Sequence, residues 1–240
     1  MRAFFFARLF PLILCVPGAW LLSSGSPIPQ QPQTKTGDIQ EGKEYRSTGG
    51  RFSITVPATS NPFVRSYKWE ESRLKYENYD YEEVVFLIQD FGQAYGAGVR
   101  RIPQGVLVEM AKEEPKETLS KLAFKALDQW RDLAEEPEVV EDTPVETQFG
   151  EGLLRVYLAK KSSLMGRVVG TDEGGKPKIE RFDTHIAVLV AKKGDWFFYA
   201  TAEDDYLQTN ATAPPAGPFD PKPTLKKALQ SFFASLTVKL

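Results

Sequence analysis

Apolar and polar positions change rhythm several times along this chain. In GGRFSITVP, Phe52, Ile54 and Val56 fall on one side while Arg51, Ser53 and Thr55 fall on the other. That period of two marks a half-buried strand, and Pro57 ends it. Tyr67 to Tyr76 is a mixed charged and aromatic stretch, read as a second strand. Val84 to Gln89 is a short, nearly continuous apolar run, as expected of a central strand covered on both faces. Val99 to Ile102 and Gly105 to Glu109 carry weaker strand patterns. Leu119, Leu122, Ala123, Ala126, Leu127, Trp130 and Leu133 then recur at steps of three and four, which predicts one apolar stripe on a helix. Pro115 suits its first turn and Pro137 lies beyond its end. Leu153 to Ala159 reads as a strand. His185 to Ala191 and Trp196 to Thr201 flank Lys192-Lys193-Gly194-Asp195, a hairpin signal. Asn210 to Pro223 is an irregular connector, and Leu225, Ala228, Leu229 and Phe232 outline a closing helix. The economical architecture is α+β: a central antiparallel sheet packed by two main amphipathic helices.

The N-terminal end follows another pattern. Arg2 and Arg8 are its only charges, an apolar run covers Leu9 to Leu22, and small residues follow in Ser23-Ser24-Gly25-Ser26. That order is the layout of a secretory signal over 1–25. The run is shorter than the roughly 20 residues that span a bilayer. Two outcomes stay open: cleavage near Gly25, or retention of residues 4–22 as a membrane tether with Arg8 snorkelling. In either case the body is exported, to a periplasmic or extracellular space. Cys15, the only cysteine, lies inside the run, where Leu14 before it departs from a lipoprotein signal. Without Cys15 the chain has no thiol, so no disulfide and no thiolate site can form. Residues 26–43, rich in Pro, Gln, Thr and Gly, read as a flexible linker, and 44–240 as one α+β domain.

Composition narrows the function classes. Of 240 residues, 42% are hydrophobic and 12% aromatic, enough for a core without staples. Thirty Lys and Arg against 32 Asp and Glu leave no basic stripe, which argues against nucleic acid.

The opening strand GGRFSITVP, the central amphipathic helix, the long hairpin and the closing SFFASLTV together resemble the PsbP-like or DcrB-like α/β sandwich over Tyr45 to Leu240. Arg65 to Glu83 and Gly166 to Arg181 stand as insertions relative to it. The resemblance implies an extracytoplasmic domain that binds or assists other proteins, and it carries no active-site motif.

Gly92, Gly96 and Gly98 follow the Val84 run with spacing G-x3-G-x-G. A dinucleotide loop needs G-x-G-x-x-G opening a helix, and Val99-Arg100-Arg101-Ile102-Pro103 does not open one. These glycines read as a turn between strands. His185 is the sole histidine, and no G-x-S-x-G elbow accompanies it. Glu203-Asp204-Asp205 supplies oxygen ligands without the spacing of a calcium loop. No catalytic residue, metal ligand or cofactor is assigned.

The aromatic content carries the functional expectation. Tyr67, Trp69, Tyr79 and Tyr81 crowd a charged stretch, with Tyr95, Arg100 and Arg101 beyond the glycines. Such rings suit a binding surface, with the arginines as a polar rim. Alternate residues of a two-sided sheet give the same composition. The sequence reads as an exported non-catalytic domain binding a protein partner or small ligand, in envelope assembly or maintenance. Two other readings stay open: a secreted hydrolase using His185 or the Glu203–Asp205 carboxylates, and a membrane-anchored structural envelope component.

Overall fold

The computed structural model describes residues 32–58, 66–76, 79–87, 94–127, 136–161, 166–181, 183–204 and 222–240. The leader, Cys15, Gly92, Trp130, Leu133, Asp205 and most of the Asn210–Pro223 connector lie outside them. Strands dominate. In chain order they are β1 (Gln33–Gln40), β2 (Glu44–Arg46), β3 (Phe52–Thr55), β4 (Ser66–Tyr76), β5 (Tyr79–Leu87) and β6 (Ala94–Arg101), then helices α1 (Gln104–Met110) and α2 (Pro115–Ala126). After these come β7 (Glu138–Thr147), β8 (Gly150–Ala159), β9 (Gly166–Thr171), β10 (Pro177–Arg181), β11 (Thr184–Lys193), β12 (Trp196–Asp204), α3 (Lys222–Ala234) and β13 (Thr237–Val238).

Eight strands form one antiparallel sheet in the order β1-β4-β5-β6-β12-β11-β8-β7. The Lys192–Asp195 hairpin signal is realised as β11 and β12, joined by Gly194 and Asp195. Two smaller sheets, β13-β3-β2 and the hairpin β10-β9, stand apart from it.

The alternation of each strand divides its side chains between two buried layers. On one face, Phe52 and Ile54 of β3 join Phe86, Tyr95, Ala97, Phe198 and Leu189 of the large sheet. Leu225, Leu229, Phe232 and Phe233 of α3 complete that cluster, with Phe232 edge-on to Phe86 and Tyr95. On the other face, Leu119, Leu122, Ala123 and Ala126 of α2 cluster with Leu153, Tyr157, Ile186, Val188 and Phe197. Pro115 at its start, Glu117 in the first turn and Lys125 in the last agree with the helix dipole.

Several expectations change. Three helices are described where the pattern predicts two, because Gly105 to Glu109, strand-like in sequence, winds into α1. None of the α1 side chains is fully buried, so no core stripe announces it. Gln33–Gln40, placed in the linker 26–43, docks as edge strand β1 against β4. Its side chains are mostly polar and exposed, so it has no alternation to read. Gly96 and Gly98 sit inside β6 instead of in a turn.

Candidate functional site

Charged residues of β4 and β5 do not simply face water. Glu71, Glu82 and Glu83 are all buried. A buried carboxylate is costly unless donors surround it, and each of these has donors from its own chain. Glu71 accepts from the Tyr45 and Thr48 hydroxyls and, at 2.9 Å, from the Thr48 N–H. Glu82 accepts from Ser47 Oγ at 2.5 Å and the Arg51 N–H at 3.2 Å. Arg51 in turn pairs with Asp80 at 2.6 Å and lies over the Trp196 ring, 4.9 Å from its centroid. Two sheet carboxylates thus hold the β2–β3 turn down. Gly49 permits the approach, since a Cβ there would lie 1.5 Å from Glu82 Oε1.

Glu83 points to the opposite, α2-side face. The Tyr199 hydroxyl donates to it at 2.6 Å, and Arg100 donates from Nε at 3.0 Å and again from Nη2. The guanidinium also lies 5.2 Å from the Tyr81 ring centroid and 5.5 Å from that of Tyr199. Burial works against the Arg100 charge, yet Tyr199 and Glu83 beside it hold its pKa above the ordinary arginine value. Burial pushes the Tyr199 hydroxyl well above its ordinary range. Gly98 makes this triad possible. The register sets it between Glu83 and Tyr199, and a Cβ there would be 2.6 Å from the Tyr199 hydroxyl and 2.9 Å from Glu83 Cβ. The Tyr199 ring crosses the strand over the missing side chain. Thr201, next on the same face, finds no hydrogen-bond partner for its hydroxyl among the described residues.

The register divides the aromatic and arginine residues singled out above. Tyr67 and Tyr95 are buried in the α3-side core, with Trp69 half-buried beside it. Tyr81 and Arg100 share the α2-side face. Arg101 is exposed and pairs with Asp195 at 2.7 Å. Tyr79 belongs to β5, and its side chain lies outside the described residues. Tyr81 and Arg100 are therefore brought together, while Tyr67 and Tyr95 lie behind the sheet. His185 and Glu203 are also separated: Glu203 pairs with Ile186, a member of the α2-side cluster, and the preceding His185 projects to the other face. Among the described residues no group of three or more His, Cys, Asp or Glu could hold a metal ion. No described helix is long and apolar enough to cross a membrane.

A second feature lies along the β7 edge. Arg155 of β8 grips Asp142 of β7 through Nε at 2.6 Å and Nη2 at 2.8 Å, and reaches Ser120 Oγ of α2 at 2.9 Å. The hydrogen bonds from Arg155 hold the Asp142 carboxyl below its ordinary value. Ser120 and Phe124 are four apart and occupy one stripe of α2, and Ser120 meets the same guanidinium that grips Asp142 of β7. Phe124 is 50% exposed. On β7, Val139 and Val140 are exposed as well, next to a register shift between Val139 and Glu141. Such a bulge re-aims side chains at a sheet edge. Sequence reasoning missed Phe124, Val139 and Val140. The available signal was Phe124 itself, an aromatic ring off the Leu119–Leu122–Ala126 stripe.

The chain matches no protein-family model and no curated protein. Similar solved structures include cyanobacterial PsbP (CyanoP) from Synechocystis sp. PCC 6803, with TM-score 0.44 and 13% identity over 84% of this chain and 94% of that one. The Ran-binding protein Mog1p of Saccharomyces cerevisiae gives 0.42 and 12% over 83% and 96%. A Bacteroides thetaiotaomicron protein gives 0.31 and 12% over 83% and 49%. The PsbP-like resemblance is a weak one of fold, and no functional residue comes over with it.

Proposed function

We propose that this chain is an exported domain that works by contact with another protein, and that the contact surface runs along edge strand β7 and the outer stripe of α2. The observation that carries this reading is the exposure of Phe124 on α2 and of Val139 and Val140 on β7, a strand that among the described residues is paired on one side only. Large apolar side chains beside unpaired backbone groups are a recurring basis of protein recognition. The reading is also supported by the buried charges: Glu71, Glu82, Glu83 and Arg100 are engaged with groups of their own chain. Export rests on the leader, with residues 1–25 as signal or residues 4–22 as tether. Pro144 within β7 lacks an N–H and so offers no backbone donor to an added strand.

The competing hydrolase reading is separated by a direct assay. Generic ester and glycoside substrates are expected to show no turnover above buffer with the purified chain. Turnover that His185→Ala or Glu203→Gln abolishes would replace the contact reading with a catalytic one.

A further inference from the structure

Hairpin β9–β10 is built unlike the rest of the molecule. Its two strands pair with each other and, among the described residues, with no other strand. Every residue from Val168 to Glu180 is exposed. Val168 and Ile179 are directly opposite in the register and are 68% and 57% exposed. Its tip is nonetheless well formed: Asp172 Oδ1 accepts from the Gly174 N–H at 2.9 Å and the Lys176 N–H at 2.8 Å. A two-stranded ribbon is marginal in water, and a stable one needs further strands and a shared apolar face.

The order of residues on β10 points to what supplies them. In Pro177-Lys178-Ile179-Glu180-Arg181, opposite charges stand symmetrically about Ile179. An antiparallel pairing of β10 with β10 of a second copy, centred on Ile179, sets Lys178 opposite Glu180 of the other copy, twice by symmetry. Ile179 then meets its own counterpart. Because Ile179 is already opposite Val168, one face of the resulting four-stranded sheet carries an unbroken row: Val168, Ile179, Ile179, Val168. Glu180 also faces the Arg167 register position across its own hairpin, and a carboxylate has oxygens for both flanks.

We propose that this hairpin is a homodimerisation arm, pairing two copies of the chain through β10 about a two-fold axis at Ile179. This goes beyond the contact surface proposed on β7. An isologous pairing of this kind closes on itself and stops at two copies. It is small for a stable interface, so association is weak and concentration-dependent.

The test is a charge exchange read by sedimentation of the purified chain over a wide concentration range. Wild type shifts from monomer to dimer with concentration. Lys178→Glu and Glu180→Lys each place like charges opposite one another and weaken association by about tenfold. Mixed together, the two variants are complementary and form a heterodimer, and the double exchange in one chain restores self-association. Independently, Ile179→Cys in a Cys15→Ser background yields a disulfide-linked dimer on oxidation, since dyad-related Cα atoms fall within bonding reach. Val168→Cys does not, being three strand spacings (about 14 Å) from its counterpart. A wild type that stays monomeric throughout, or single variants that fail to associate when mixed, overturns the proposal.

Discussion

Arg100→Met destabilises the fold by about 3–5 kcal/mol, because it leaves Glu83 buried with its charge uncompensated. The Arg100 and Glu83 side chains are 12% and 9% exposed, so water cannot replace the lost donor. Tyr199 still donates to Glu83 at 2.6 Å, but one neutral hydroxyl does not offset a carboxylate's desolvation. Lysine is no substitute: it lacks the planar fork that donates from Nε and Nη2 while lying against Tyr81 and Tyr199. The double variant Arg100→Met with Glu83→Leu recovers most of the loss, since replacing both members of a buried pair by apolar groups is often near neutral. Chemical denaturation of wild type, single and double variants measures this. A single variant within about 1 kcal/mol of wild type means the pair is solvated and the triad is not a structural clamp.

Gly98→Ala acts on the same clamp from the backbone side. The new methyl would lie 2.6 Å from the Tyr199 hydroxyl oxygen, 2.8 Å from the ring carbon bearing it and 2.9 Å from Glu83 Cβ. Tyr199 and Glu83 are both buried and hydrogen-bonded to each other, so neither moves aside cheaply. Overpacking together with a strained or lost bond predicts a loss of about 2–4 kcal/mol. Tyr199→Phe removes the atom in closest conflict. Gly98→Ala therefore costs less in a Tyr199→Phe background, and the double-mutant cycle reports the coupling. Strict additivity would show that Tyr199 does not cross over Gly98.

Much of the sheet was legible because core strands must alternate. Phe52, Ile54 and Val56 declare one face of β3 and its continuation, and the apolar runs of β8, β11 and β12 follow from burial on both faces. Strands at the margins were not legible. β1 is mostly polar and exposed and β7 sets Val139 and Val140 among charged residues, and an edge pairs through its backbone, which leaves little trace in residue type. The buried carboxylates were hidden for another reason. Glu71, Glu82 and Glu83 lie in a charged stretch that reads as solvated surface, whereas their donors come from distant Tyr45, Ser47, Arg100 and Tyr199. One local hint was present: Glu82 is two residues from Val84 and Glu83 two from Val85, so each carboxylate shares a face with an apolar neighbour. The glycines misled in the same way. Gly98 supports a close side-chain crossing, and spacing alone does not separate that role from a turn.

That the chain acts by contact is tested most directly by photo-crosslinking in intact cells, with a benzophenone amino acid placed at Phe124, at Val139 and at the exposed control Lys227. A discrete adduct of one size from positions 124 and 139, absent from 227, is the predicted result. No adduct from 124 or 139, or the same smear from all three, would contradict it.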